Sequence, residues 1–446
     1  MSSTQLALMA AQTKSDLGVN VSGYVSSEFG LGEAVRSTIR ALEAVKVPMS
    51  INNLTFDKMH RQQDHSYVNF SQSNPFPVNI IHVNGDMMHR FIEVEKTDYF
   101  QNKYNIGFWA WELPDFPSSW LSSLYLFNEI WTPSSYCVET IAQVSPVPVL
   151  KMIHSLDLSE PSISRENLNL PSDKFIFLFM FDFCSVFERK NPTAVIQAFK
   201  QAFGNDNRVL LIIKSVNGDR FYEKYKVLKS SVGSATNIKL IDGFWDKKDV
   251  HGLVYNCDAY VSLHRSEGFG LTIAEAMFYG KPTLATDYSA NTEFMNIGNS
   301  FPIRYELTEL KTDYGHYRAG SSWAEPNPFH AAEIMRYVFD HQEKAQEIGQ
   351  IAAVQIKSML EPQAIGKKMR VRLDHVARFS DNFSQVLQPQ DLLPERTRFA
   401  IELQGKQEEI DRLNDRIKLM KESRFWKIRN QWFKLKNFGR RSAISE

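Results

Sequence analysis

The chain has 446 residues, of which 43% are apolar and 23% charged, so at roughly 150 residues per domain two or three globular domains are expected, with no need of a disulfide or metal staple. Its 51 basic and 51 acidic residues cancel, which argues against a nucleic-acid partner. Cys137, Cys184 and Cys257 lie far apart with no Cys-x-x-Cys spacing, and the longest apolar run, Phe175 to Phe181, is seven residues; a disulfide scaffold, a zinc ribbon and a membrane span of about 20 residues are all unexpected, and a cytoplasmic setting fits.

Strand-like and helical patterns alternate from the start. Leu17–Tyr24 reads as a strand, residues 26–32 (SSEFGLG) as a Gly-rich loop, and EAVRSTIRALEAV from Glu33 as an amphipathic helix. Pro77–Val83, Asn105–Trp109, Glu129–Thr132 and Val147–Ile153 read as further strands. Apolar runs that end in polar or Gly-rich residues before a helical period are the signature of βαβ units and a parallel sheet.

The pattern restarts near Phe175. FIFLFMF is a buried strand, followed by the helix NPTAVIQAFKQAF, the strand RVLLIIK, a helix over Phe221–Ser231 and the strand NIKLID. The helix KKDVHGLVYNC, the strand AYVSLH, the helix LTIAEAMFY and the strand TLAT complete the series. Two such units predict an α/β protein of two Rossmann-like doubly wound domains facing across a cleft, residues 15–157 and 158–390, with a linker near 154–169 rich in Ser, Pro and Asn. From 394 to 446 a helical tail is expected. Leu403, Ile410 and Ile417, with Leu413 and Met420 between, form a short heptad seam that suggests dimer pairing. Residues 418–441 hold nine Lys or Arg against Glu422 alone, and RFWKIRNQWFKLKNF (424–438) reads as a basic amphipathic helix for an anionic membrane surface, with docking on the body as the alternative.

The segment HRSEGFGLTIAEAMFYGKP, residues 264–282, carries most of the chemistry. Gly268 and Gly270 make a side-chain-free turn before a helix whose first N–H groups, at Leu271 and Thr272, would face a diphosphate. Glu267 precedes the turn and Glu275 lies one helical turn inside, toward a ribose. The same glycines also suit ordinary helix capping. Arg189 and Lys190 in FERKNP follow the first strand of the second domain, where doubly wound sheets bind ligands. Gly30 and Gly32 form a first Gly-rich turn, but Val35 stands where a dinucleotide fingerprint needs its third glycine. GFWAWELPDFP places Trp109 and Trp111, with Trp120 following, beside Glu112 and Asp115, a mixture suited to sugar faces or to a core. No Asp-x-Asp pair occurs, so no metal is expected at the diphosphate.

EGFGLTIAE resembles the E-x7-E signature of retaining glycosyltransferases of the GT-B type, family 4 (glycosyl transferases group 1). RKNPTAVIQAF and the N-terminal GYVSSEFGLGEAVR fall in the expected order, so the resemblance covers roughly residues 17–380. It implies that Lys190 binds the donor diphosphate, Glu275 the ribose and Glu267 the donor sugar, with backbone contacts from Gly268, Phe269 and Gly270. Many members carry an Arg where this chain has Cys184; Arg189 or Ser185 is expected to compensate, and Glu112 to position the acceptor.

The expected function is transfer of a hexose, of mannose or glucose type, with retention. The donor would be a nucleoside-diphosphate sugar and the acceptor a glycan or lipid-linked hydroxyl, in surface polysaccharide synthesis on the inner face of the plasma membrane. The donor is a substrate, so no cofactor is expected. The rival reading is a non-catalytic glycan-binding or assembly protein with a degenerate cleft. Detectable release of a nucleoside diphosphate separates the two.

Overall fold

The computed structural model describes residues 18–95, 97–378 and a set of helical positions between 405 and 420. Its first sheet contains β1 (Val19–Gly23), β2 (Met49–Asn53), β3 (Val78–His82), β4 (Tyr104–Phe108), β5 (Glu129–Thr132) and β6 (Val149–Lys151). All neighbours are parallel, in the order β2-β1-β3-β4-β5-β6. These strands are not uniformly apolar, and the exceptions fix the register. Asn20 on β1 pairs with Asn79 on β3, which pairs with Asn105 on β4. Their amides bond in series, Asn20 Nδ2 to Asn79 Oδ1 at 2.9 Å and Asn79 Nδ2 to Asn105 Oδ1 at 2.8 Å. All three are fully buried, so a one-residue slip would strand buried amides as well as turn the apolar faces outward.

The second sheet contains β7 (Phe175–Asp182), β8 (Val209–Val216), β9 (Ile238–Asp242), β10 (Ala259–Ser262), β11 (Thr283–Thr286) and β12 (Phe301–Ile303). It is also parallel, in the order β12-β11-β10-β7-β8-β9. β7 is almost continuously apolar because helices cover both of its faces. Strand order reverses between β7 and β10, so the loops leaving these two strands diverge and open a crevice at their C-terminal ends.

Two features depart from the sequence expectation. A hairpin, β13 (Tyr305–Glu309) and β14 (Ser322–Pro326), follows β12; its alternation is too polar to stand out as buried strand. In addition, the chain crosses back. After the helices Pro328–Asp340 and Gln342–Met359, the helix Pro362–Arg378 packs on Gly30–Ala44 of the first domain. Thus the residue span 158–390 does not stay with the second sheet. The outgoing and returning crossings touch, Leu156 N–H donating to the Leu360 carbonyl at 2.8 Å. Gly366 allows the close approach, since a Cβ there would lie 2.0 Å from the Ala41 carbonyl oxygen.

Arg372 on the returning helix reaches Glu129 on β5, its Nε 3.0 Å from Oε2. Glu129 is fully buried and also accepts from Trp131 Nε1 at 2.7 Å and from the Tyr104 hydroxyl at 3.0 Å. Among the positions described beyond 404, Glu409 lies 3.5 Å from Arg90, and Ile410, Leu413, Ile417 and Met420 of the heptad seam are about half exposed. The basic segment 424–438 and the chain from 379 to 404 lie outside the described residues. No described helix is long and apolar enough to cross a membrane.

Arg372→Ala is expected to cost about 3 kcal/mol, the lower end of the range for stranding a buried charge, because Arg372 keeps some solvent contact. Urea unfolding would measure it, and an unchanged midpoint would remove this ion pair as the anchor of the returning helix.

Candidate active site

The crevice between β7 and β10 faces the first domain, and the expected site residues gather there. β7 ends at Asp182; a turn and the short helix Phe187–Lys190 then bring Arg189 and Lys190 to the strand ends. Asn191 closes that helix in the left-handed region, φ 53°, and Pro192 opens the next. β10 leads through His264 to Glu267, Gly268, Phe269 and Gly270 and so to the helix Leu271–Phe278. Gly270 has φ +93°, a conformation L side chains rarely adopt, and it caps this helix. Backbone bonding within the turn begins with Ile273 and Ala274, whose N–H groups both reach the Gly270 carbonyl; those of Leu271 and Thr272, at the N-terminal end of the helix, have no backbone partner among the described residues.

Lys190 Nζ lies 2.5 Å from Glu267 Oε1, and Arg189 Nη1 lies 3.3 Å from Glu267 Oε2. Burial raises the pKa of Glu267, but Lys190 and Arg189 outweigh it and hold the carboxyl down at about 2. Arg189 is 4% exposed. Its Nη1 also donates to the Ser266 carbonyl at 2.8 Å, its Nε to the Ser185 carbonyl at 3.2 Å, and its Nη2 faces Glu112 at 3.8 Å. So Arg189 is turned inward and spends its donors on the protein. Lys190 is the more exposed cation of the two.

Glu112 comes from the first domain and joins the same cluster. Its Oε2 accepts from the Tyr317 hydroxyl at 3.0 Å, and its backbone carbonyl accepts from Ser266 Oγ and, at 3.2 Å, from Tyr136. Gly268 lies against this strap, where a Cβ would meet Ala110 at 3.4 Å. Its carbonyl accepts from Ser134 Oγ of the first domain at 3.0 Å. Tyr317, on the loop between β13 and β14, gave no signal in the sequence beyond its residue type, because only the inserted hairpin brings it here.

Glu275 is half-buried in the crevice wall, and no protein donor among the described residues bonds its carboxylate. Loss of hydration pushes its pKa up to about 8, with Glu33 adding to the shift and Lys247 and Arg40 opposing it. A carboxylate with both oxygens free, in a partly dry crevice beside a helix N-terminus, is an acceptor for paired hydroxyls.

Other expected residues take structural roles. Phe269 puts its ring in the core, against Phe294 and His154. Gly32 is required by its own loop, where a Cβ would strike the Ser27 carbonyl at 2.1 Å; Gly30 is exposed with open space at its Cα. Trp109, Trp111 and Trp120 are buried in edge-to-face contacts with one another and with Phe116, so they offer no sugar platform. Cys184, expected to leave a missing charge, faces His60 from the first domain.

The two facing parallel α/β domains, with the crevice at their strand ends, define a GT-B fold. The structure of the Anabaena Alr3699/HepE protein in complex with UDP-glucose aligns with a TM-score of 0.59 at 14% identity, over 80% of this chain and 99% of that one. Sucrose-phosphate synthase from Thermosynechococcus elongatus aligns with a TM-score of 0.60 at 13% identity, over 81% of this chain and 99% of that one. A glycosyltransferase from Rickettsia africae aligns with a TM-score of 0.57 at 14% identity, over 80% of this chain and 97% of that one. At these identities the likeness establishes the fold. Residues 162–300, which carry Arg189, Lys190, Glu267 and Glu275, match the family model described as Glycosyl transferases group 1.

Glu275 has a consequence for stability. Below its ordinary value of 4.5 the carboxyl is protonated in folded and unfolded chains alike; from there to about 8 only the folded chain keeps the proton. Stability therefore falls as pH rises through this window and levels off above it. Glu275→Gln should flatten the fall in urea midpoint across the window, and a slope equal to that of the parent would show that Glu275 is hydrated as in the unfolded chain.

Proposed function

We propose that the protein is a retaining, metal-independent hexosyltransferase that takes a nucleoside-diphosphate sugar as donor. The observation that carries this reading is the Lys190–Glu267 ion pair at the mouth of the crevice, set between the free N–H groups of Leu271 and Thr272 and the free carboxylate of Glu275. The match of residues 162–300 to a glycosyltransferase model supports the same class.

Charge balance gives the order of events. Glu112 and Glu267 already neutralise Arg189 and Lys190. A diphosphate brings new negative charge, so Lys190 exchanges Glu267 for phosphate oxygens. Arg189 stays behind and holds Glu267, whose freed oxygen then accepts hydroxyls of the donor sugar. The ribose hydroxyls go to Glu275. As the anomeric C–O bond breaks, charge grows on the leaving oxygen, and Lys190 with the helix N-terminus stabilises it. That oxygen takes the proton of the acceptor hydroxyl while the acceptor oxygen bonds the anomeric carbon on the face being vacated, which retains configuration. Glu112 lies on the acceptor side. The acceptor class we favour is a glycan or lipid-linked sugar, as in surface polysaccharide synthesis.

The direct test is nucleoside-diphosphate release from UDP-, GDP- and dTDP-hexoses in the presence of chelator. Release with one donor, unchanged by Mg²⁺ or Mn²⁺, is expected. Binding without release from any donor would favour a non-catalytic glycan-binding protein, and activity that is lost in chelator and restored by Mg²⁺ or Mn²⁺ would overturn the protein-only account of the leaving group. Lys190→Ala should lower kcat roughly 10²–10³-fold with a smaller change in KM, since its charge matters most as the bond breaks. An equal loss in donor affinity would make it a ground-state contact. The tail fits peripheral attachment to an anionic leaflet, each basic residue contributing about 1 kcal/mol. Sedimentation with anionic vesicles at low salt should recover the full chain and not a chain ending at Leu393; equal recovery of both would reject attachment through the tail.

A further inference from the structure

A cluster outside the donor site joins the two domains at the edge of the crevice. The segment after β2 runs over the crevice and carries Asp57 and His60. From the second domain, Asp182 ends β7 and Cys184 follows in the next turn. His60 Nε2 lies 3.0 Å from Asp182 Oδ2, and His60 Nδ1 lies 2.8 Å from Asp57 Oδ2. One ligand atom each from His60, Asp182 and Cys184 falls within 4.8 Å of the other two.

The donors are arranged unevenly, in a way that turns one atom of each toward the other two. Asp182 Oδ1 is occupied by the Cys184 N–H at 2.9 Å and by Asn217 Nδ2 at 2.8 Å, which fixes the carboxylate and directs Oδ2 at His60. Asp57 takes the Nδ1 side of the imidazole, which directs Nε2 into the cluster. The Phe29 ring stacks flat on His60, centroids 4.1 Å apart and planes 8° apart, and walls off one side. Oriented ligands, a carboxylate behind the imidazole and an apolar wall are the surroundings in which a metal is held.

We propose that His60 Nε2, Asp182 Oδ2 and Cys184 Sγ form a site for a thiophilic divalent cation of the zinc type, which ties the first domain to the second. Tetrahedral bonds of about 2.0–2.3 Å place such ligands roughly 3.3–3.8 Å apart, a spacing that lies between the 3.0 Å of the His60–Asp182 pair and the 4.8 Å within which all three donors fall. One coordination position is left for water. Binding releases the proton on His60 Nε2 and the thiol proton of Cys184. The ligand set is then one neutral imidazole, one carboxylate and one thiolate, which balances the two charges of the ion. Without metal, burial works against a charged His60, but its bonds to Asp182 and Asp57 prevail and push its pKa up to about 11. A carboxylate–imidazolium–carboxylate bridge then occupies the same place. Soft sulfur and borderline nitrogen favour zinc over Mg²⁺ or Ca²⁺. The cluster shares no residue with the Lys190–Glu267 pair, so this cation would fix domain closure and take no part at the diphosphate.

The test is titration of the metal-stripped full chain with Co²⁺, followed by displacement with Zn²⁺. A thiolate-to-cobalt charge-transfer band that saturates at one equivalent is expected, lost in Cys184→Ser and in His60→Asn, and kept in Cys137→Ser, whose thiol is buried elsewhere. Zinc should also slow amide hydrogen exchange in the segment carrying His60 in the parent and not in His60→Asn. No band in the parent, or a band that survives Cys184→Ser, overturns the proposal and leaves the imidazolium bridge alone. Binding that survives His60→Asn with unchanged exchange overturns the bridging role.

Discussion

The Arg189 guanidinium is the pivot of the crevice. It is almost fully buried, and a buried cation persists only where carboxylates and carbonyls surround it. Those partners come from both domains: Glu267 and the Ser266 carbonyl from the β10 loop, the Ser185 carbonyl from the β7 loop, and Glu112 from the first domain. The two loops that diverge at the switch point are thereby held to one another, and the Arg265 N–H donates to the Arg189 carbonyl at 2.8 Å in the same sense. With Arg189 fixed inward, Lys190 beside it is left as the cation able to change partner.

The second domain reached across the crevice in a way its sheet alone would not allow. The hairpin after β12 places Tyr317 on Glu112, Ser321 Oγ 2.6 Å from Asp115 Oδ2, and Trp323 beside Tyr317 in a cluster with Trp111 and Trp120. Large rings buried between domains make closure favourable through area removed from water. The tryptophans of GFWAWEL thus act as packing and the acids beside them as the polar edge of that packing. A residue string compatible with sugar binding and with a core resolves to the core once a second element covers it.

Most of the fold was legible because period and punctuation agree in it. FIFLFMF, RVLLIIK and TLAT are strands where the run length, the flanking polar residues and Pro192 or Gly280 point the same way. The placement of Glu267, Lys190 and the Gly270 turn was legible because they follow strand ends, where topology brings distant loops together, and that of Glu275 because it lies one turn into the helix that follows. What escaped depends on contacts between domains. The inward turn of Arg189 follows from Glu112, which is 77 positions away. That Gly32 is dictated by the Ser27 carbonyl beneath it could not be read from the sequence. His60 lies in a long irregular segment after β2, and only the closed arrangement sets it beside Asp182.

The returning helix has a consequence for biosynthesis. The face of Gly30–Ala44 that it covers, including the close approach of Gly366 to Ala41, belongs to the domain made before the second sheet. A chain emerging from the ribosome has its first sheet long before Pro362–Arg378 exists to shield it. Of the two, the domain made earlier is therefore finished later, since the helices on the second sheet precede Pro362–Arg378 in the chain. During that interval the apolar surface of Gly30–Ala44 that the returning helix will cover faces solvent, open to a chaperone or to misassociation.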